Sequence, residues 1–150
     1  PISGPRGHLF YDGPVGNHAF TNYEVKAIIK TYPGANSGLY VATSFLENNW
    51  PSQGYEIQVN NSHTDWRRTA SLYGIIDTAE KLVHDEEWFE LYVKVEGKHI
   101  TTKINGRTVV EYDEPAGKTD ARRIQPGTIA IQAHDPKSRI VYKSVQVKLN

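Results

Sequence analysis

The sequence predicts an all-β fold built from antiparallel strands, a sandwich or barrel, and three observations predict it. Short segments with period-two alternation recur along the chain, and Gly, Pro and Asn turns punctuate them. No strand–helix–strand alternation is present. Residues 1–19, with four glycines and three prolines and no sustained period, are expected to form an irregular lead-in that packs at most as a flap. From Tyr23 to Lys30, Tyr23, Val25, Ala27 and Ile29 alternate with Glu24, Lys26, Ile28 and Lys30, the pattern of a strand with one wet face, and Pro33-Gly34 ends it. In Tyr55-Glu56-Ile57-Gln58-Val59-Asn60, Tyr55, Ile57 and Val59 face a core, while Glu56, Gln58 and Asn60 share the opposite surface. Thr78 to His84 is the one stretch that reads as a short helix. Trp88 to Glu96, His99 to Ile104 and Arg107 to Tyr112 form a three-strand meander. Its second turn is Asn105-Gly106, the pair favoured where both central residues need positive φ. A loop over 114–125 and two closing strands near 128–134 and 140–149 complete the chain.

The chain of 150 residues is in the single-domain range and can bury one sizeable core, so residues 1–150 are expected to form one domain. Seventeen basic and seventeen acidic residues cancel, so the field that gathers phosphates is missing and a nucleic-acid partner is disfavoured. No apolar run approaches the ~20 residues of a membrane-spanning helix, and membrane insertion is not expected. Cysteine is absent, which excludes disulfides, thiolate metal sites and cysteine nucleophiles. Methionine is absent too, as expected of a mature form or of a domain cut from a longer chain that carries others.

Two polar rows carry candidate chemistry. Glu56, Gln58 and Asn60 offer one carboxylate and two amides on one strand face. That is poor for a two-carboxylate glycosidase and adequate for a single base among hydrogen-bonding groups. The same row can equally decorate a solvated sheet. Gln132 and His134 share a face in the next-to-last strand; an imidazole suits proton transfer or metal ligation, or His134 is simply a surface histidine at a strand end. His63, Asp65, His84, Asp85, His134 and Asp135 include metal-ligand types, but no spacing among them is specific, and no cofactor is called for. Trp50 and Trp66, in loops flanking the Glu56 strand, can stack on sugar rings or lie partly buried under their own loops; Trp88 is expected to be structural. Arg67-Arg68 is too small a patch for nucleic acid.

Several of these segments resemble, in order along the chain, the motif set of the 3-keto-disaccharide hydrolase-like family. They are Asn36-Ser37-Gly38-Leu39, Tyr55-Glu56-Ile57-Gln58, Ser71-Leu72-Tyr73-Gly74 and Lys103-Ile104-Asn105-Gly106. Gly127 to His134 and Val141 to Val145 complete the set. The resemblance covers roughly residues 20–149 and implies a concanavalin A-like jelly-roll sandwich. It also implies an exported bacterial protein, periplasmic or extracellular, acting on sugars oxidised at C3. A C3 ketone acidifies the C2 proton, so one base can expel the glycosidic oxygen by elimination, with water added later. On that basis Glu56 or His134 is the base and Tyr73 a proton donor or binding group. Asn36, Tyr40, Gln58, Asn60, Gln132, Trp50 and Trp66 are the expected sugar contacts, and neighbouring strands are expected to bring Gln132 and His134 to Glu56. Two positions depart from the family pattern: Ala42 replaces a cationic or proton-transferring residue on the face of Asn36, Gly38 and Tyr40, and Asn61 replaces an acid. These departures keep open a non-catalytic carbohydrate-binding module on the same scaffold. A structural or interaction domain of a larger exported protein is the third alternative.

Overall fold

The computed structural model describes residues 6–47 and 50–150. Nine strands form two antiparallel sheets: β1 (Gly7–Phe10), β2 (Tyr23–Thr31), β3 (Ser37–Thr43), β4 (Tyr55–Val59), β5 (Phe89–Glu96), β6 (His99–Ile104), β7 (Arg107–Asp113), β8 (Thr128–Ala133) and β9 (Ile140–Leu149). One sheet has the order β1-β8-β3-β4, the other β7-β6-β5-β2-β9. The inward residues follow the period-two rule. Tyr23, Val25, Ala27 and Ile29 of β2 meet Leu39 and Val41 of β3 and Tyr55, Ile57 and Val59 of β4 in one core shared by both sheets. The meander from β5 to β7 forms as expected, and Asn105 (φ 48°) and Gly106 (φ 83°) both occupy the left-handed region its turn requires.

Two expectations fail. The lead-in is not irregular throughout: Gly7–Phe10 is an edge strand paired with β8, His8 against Gln132 and Phe10 against Ala130, and Val15–His18 forms a 3₁₀ turn. Four residues among glycines and prolines are too few for periodicity to register. Thr78–His84 is not helical, because its first residue is tied elsewhere. The Thr78 carbonyl accepts from the Arg68 amide and the Thr78 amide donates to Ser71 Oγ. Trp88 is 44% exposed, with the Lys30 ammonium 4.7 Å from its ring centre, so it covers the outer face of the five-stranded sheet.

The two strands β3 and β4 are buried on both faces. Every residue of β3 and β4 is buried, including Glu56 and Gln58, with the segments 50–54, 60–76 and 114–126 beside the outer side. The polar row is therefore not a solvated surface.

Candidate functional site

Strand register sets out the site. Across the outer face, one row runs Phe10, Ala130, Tyr40, Glu56 through successive pairings, and the next contains His8 and Gln132 on one side and Gly38 and Gln58 on the other. Gly38 is the gap in that row. A Cβ there would lie 2.8 Å from Glu56 Cγ and 2.9 Å from Cδ, so the glycine makes the space into which the Glu56 side chain leans.

Glu56 and Tyr40 lie on a cleft of about 650 Å³ together with Trp50, Tyr73, Lys118 and Arg122. Burial pushes the Glu56 carboxyl up to about 7; a hydrogen bond from Tyr40 and the charges of Arg122 and Arg6 oppose that rise, and Asp65 adds to it. Tyr40 is oriented from behind. Its hydroxyl accepts from Gln132 Nε2 at 3.0 Å, which leaves its own proton for Glu56. Burial and the neighbouring Glu56 charge raise the Tyr40 pKa, so Tyr40 stays a donor across the neutral range. Trp50 forms one wall, edge-on to Tyr40 (6.0 Å) and to His8 (5.7 Å), with the Arg6 guanidinium 5.2 Å from its ring centre. Arg122 reaches in from the 114–125 loop, anchored on the Tyr73 carbonyl.

The other carboxylates nearby are committed. Asp65 takes the Arg67 amide and guanidinium and the Tyr73 hydroxyl (3.3 Å); burial works against ionisation there, and these partners outweigh it and hold its pKa down. Asp120, also on the cleft, pairs with Lys118 at 2.7 Å. One basic carboxyl at neutral pH, with a phenol and a guanidinium around it, can accept a proton from carbon next to a carbonyl and steady the resulting enolate.

The remaining expected residues fall into four groups. Gln58, 1% exposed, and Gln132, 4% exposed, lie beneath the cleft floor and not on it. Asn60 is spent on its loop: its amide donates to the Asp65 and Arg67 carbonyls and accepts from the His63 amide and Arg68. Trp66 is 52% exposed and does not line the cleft; Arg67 is stacked against both it and Tyr73. Asn36 and His134 belong to the far end of the face, with Asn36 Nδ2 3.5 Å from His63 Nδ1 and the His63 and His134 rings 5.5 Å apart. His134 is not beside Glu56. β3 separates their strands, and His134 is four residues along β8 from Ala130, the residue level with Glu56, an offset of about 13 Å along the strand.

His63, His134 and Asp135 bring potential ligand atoms within 4.8 Å of one another. Their lone pairs are occupied. His63 Nδ1 accepts from the Asp65 amide, His134 Nε2 faces Arg6 at 3.0 Å, and His134 Nδ1 faces Asp135 at 2.8 Å. Asp135 also takes two backbone amides and the Ser138 hydroxyl, which with His134 hold its pKa far down. This donor set fits a hydrogen-bonded clasp, not an open metal site.

The two departures from the family pattern are both buried. Asn61 is buried and bonded to Thr31 Oγ1 (2.8 Å) and Thr69 Oγ1 (2.6 Å). Ala42 sits at a bulge with φ 52°, fully buried, its amide held by the Tyr23 hydroxyl, so the strand alternation that placed it beside Tyr40 is broken there. Positive charge near Glu56 comes instead from Arg122 and Arg6. Sequence reasoning missed both, together with His8 and the role of Gly38. Arg6 precedes and His8 lies within a strand too short to show a period, and Arg122 sits in an aperiodic loop.

The fold is an antiparallel β-sandwich of the jelly-roll, galectin-like type, with Glu56 at a cleft on the outer face of its four-stranded sheet. Residues 4–148 match the 3-keto-alpha-glucoside-1,2-lyase-like domain, and the chain belongs to that family. Its fold is similar to two Parabacteroides distasonis ATCC 8503 proteins assigned provisionally to the glycosyl hydrolases. The first is 21% identical, with a TM-score of 0.77 over 97% of this chain and 84% of that one. The second is 20% identical, with a TM-score of 0.73 over 87% and 73%. The carbohydrate-binding module CBM66 from Bacillus subtilis is 10% identical, with a TM-score of 0.68 over 98% and 84%. No protein of curated function matches the sequence.

Proposed function

We propose that this domain cleaves the glycosidic bond of 3-keto-glucosides or 3-keto-disaccharides, with Glu56 as the base that removes the C2 proton. The observation that carries this is the Glu56 carboxyl, buried in a cleft and titrating at about 7, where a base is both available and strong enough at neutral pH. The neighbouring acids are held by cations and hydroxyls, which disfavours a mechanism that shares the work between two carboxylates. Arg122 is placed to hold the developing enolate oxygen, Tyr73 and Tyr40 to bind or donate, and Trp50 to stack on a ring. Engagement of both His134 nitrogens by Arg6 and Asp135 supports Glu56 over His134 as the base.

The family's substrate class supports a saccharide partner and an exported location, periplasmic or extracellular, for this chain. The test is incubation with a 3-keto-glucoside and with the same glucoside unoxidised, followed by NMR. Cleavage of the keto sugar alone, lost in Glu56→Gln, is the expected result. A folded protein that shifts its tryptophan fluorescence with the sugar and releases no product would instead be a binding module, and one that responds to neither an interaction domain.

A further inference from the structure

Six buried side-chain atoms of the outer face and its covering loop have no hydrogen-bond partner among the described residues: Asn36 Oδ1, Glu56 Oε2, Gln58 Oε1 and Nε2, Arg68 Nε and Gln132 Oε1. They are not scattered. Gln58 pairs with Gly38, Gln132 follows the residue paired with Leu39, and Asn36 stands immediately before β3. Four of the five residues therefore cluster around Gly38, whose side-chain volume the Glu56 side chain fills. Arg68 joins them through Asn60, to whose Oδ1 it donates at 3.2 Å.

Left dry, six such atoms would offset much of an ordinary domain's stability, so something small satisfies them. The set mixes donors, Gln58 Nε2 and Arg68 Nε, with acceptors. A cation satisfies only the acceptors. A sugar ring does not reach Gln58, which is 1% exposed. Water both donates and accepts, and a buried water with two to four polar partners of this kind satisfies both sorts of atom.

We propose that these atoms hold a file of ordered water running from the Glu56 carboxyl, past Gly38 between Gln58 and Gln132, to Asn36 beside the partly exposed His63, and that it exchanges protons between Glu56 and solvent while a sugar fills the cleft. The relay rests on Glu56 being the base and adds a second access to it. In the reaction, the C2–H bond breaks and its proton goes to Glu56. The electron pair forms the enolate and then the C1–C2 double bond as the C1–O bond breaks, and the leaving oxygen takes a proton from the Tyr73 hydroxyl to become an alcohol. Water then adds, its oxygen to C1 and its spare proton back to Tyr73, while Glu56 gives its proton to C2, so that one water is consumed and both side chains end as they began. Between the two halves, the proton on Glu56 exchanges through the file.

The test uses the whole chain with a ¹³C-labelled glutamate carboxyl. The charged or titratable groups facing Glu56 are Arg6, Tyr40, Asp65, Tyr73, Arg122 and Tyr142, and all remain in Gln58→Met and in Asn36→Leu at the far end. A changed Glu56 midpoint in these variants therefore reports lost hydration. Wild type should show magnetisation transfer from water to the Gln58 side-chain amide, and Gln58→Met should raise the Glu56 midpoint by about one unit; Asn36→Leu gives the same reading if Gln58→Met fails to fold. A dry Gln58, or midpoints that stay put, overturns the file. In D₂O, wild-type product should carry deuterium at C2 and the variants should return more of the original proton; equal labelling overturns the relay even where water is present. If wild type turns over no keto sugar, the assigned reaction and the relay fall together, while the water contacts still decide whether the file exists.

Discussion

Gly38→Ala puts the positioning of Glu56 to a quantitative test. The added methyl would stand 2.8 Å from Glu56 Cγ and 2.9 Å from Cδ, whereas carbon atoms in contact settle near 3.5–4.0 Å, so the side chain must withdraw by roughly 0.7 Å or more. φ at Gly38 is not in the left-handed region, so the backbone tolerates alanine and the effect is confined to packing. Overpacking of this kind costs about 1–3 kcal/mol of stability. Displacing a catalytic base by about 1 Å costs on the order of 10²-fold in rate. The assay is kcat/KM on a 3-keto-glucoside alongside a thermal melt. A folded Gly38→Ala protein with wild-type kcat/KM would refute the claim that Gly38 makes room for the working position of Glu56.

Other outcomes follow from the same geometry. Because burial raises the Glu56 pKa from 4.5 to about 7, its proton stabilises the fold below pH 4.5, and that contribution, on the order of 3 kcal/mol, is lost as pH rises through about 7. Glu56→Gln should therefore be the more stable protein at pH 8 and close to wild type at pH 4, as denaturant midpoints at the two pH values will show. Arg122→Ala removes a charge that lowers the Glu56 pKa, so the rising limb of the kcat/KM pH profile should move to higher pH and kcat should fall by about 10²-fold. His134→Ala should keep turnover within a few-fold, because its ring bonds Arg6 and Asp135 and is not among the groups that line the cleft. Its melting temperature should drop as the clasp with Asp135 opens. Asn60→Ala should lower stability by about 2–4 kcal/mol through the four loop bonds it loses, as read from a urea titration.

What was legible in the sequence was whatever repeats. The β2 and β5–β7 alternation, the Asn105-Gly106 turn and the closing strands follow from side-chain period alone, and the ordered motifs located Glu56. Alternation also sorted the Glu56 strand into a core side and a polar side. It could not tell that loops from 50–54, 60–76 and 114–126 would bury that polar side, because burial by aperiodic segments leaves no pattern. The same blindness hid Arg122 and β1. The pairing of Glu56 with His134 failed for a different reason: a shared face says nothing about strand order, and β3 stands between β4 and β8. Asn60 illustrates the ambiguity of an amide next to a turn, where donors and acceptors serve the loop before they serve a ligand.

The most direct measurement of the central claim is the rate of cleavage of a 3-keto-glucoside carrying deuterium at C2, compared with the protonated sugar, above pH 7 where Glu56 is ionised. Removal of the C2 proton by Glu56 predicts a primary isotope effect in wild type and loss of turnover in Glu56→Gln. Equal rates for the two sugars, together with a Glu56→Gln protein that still cleaves them, would contradict it.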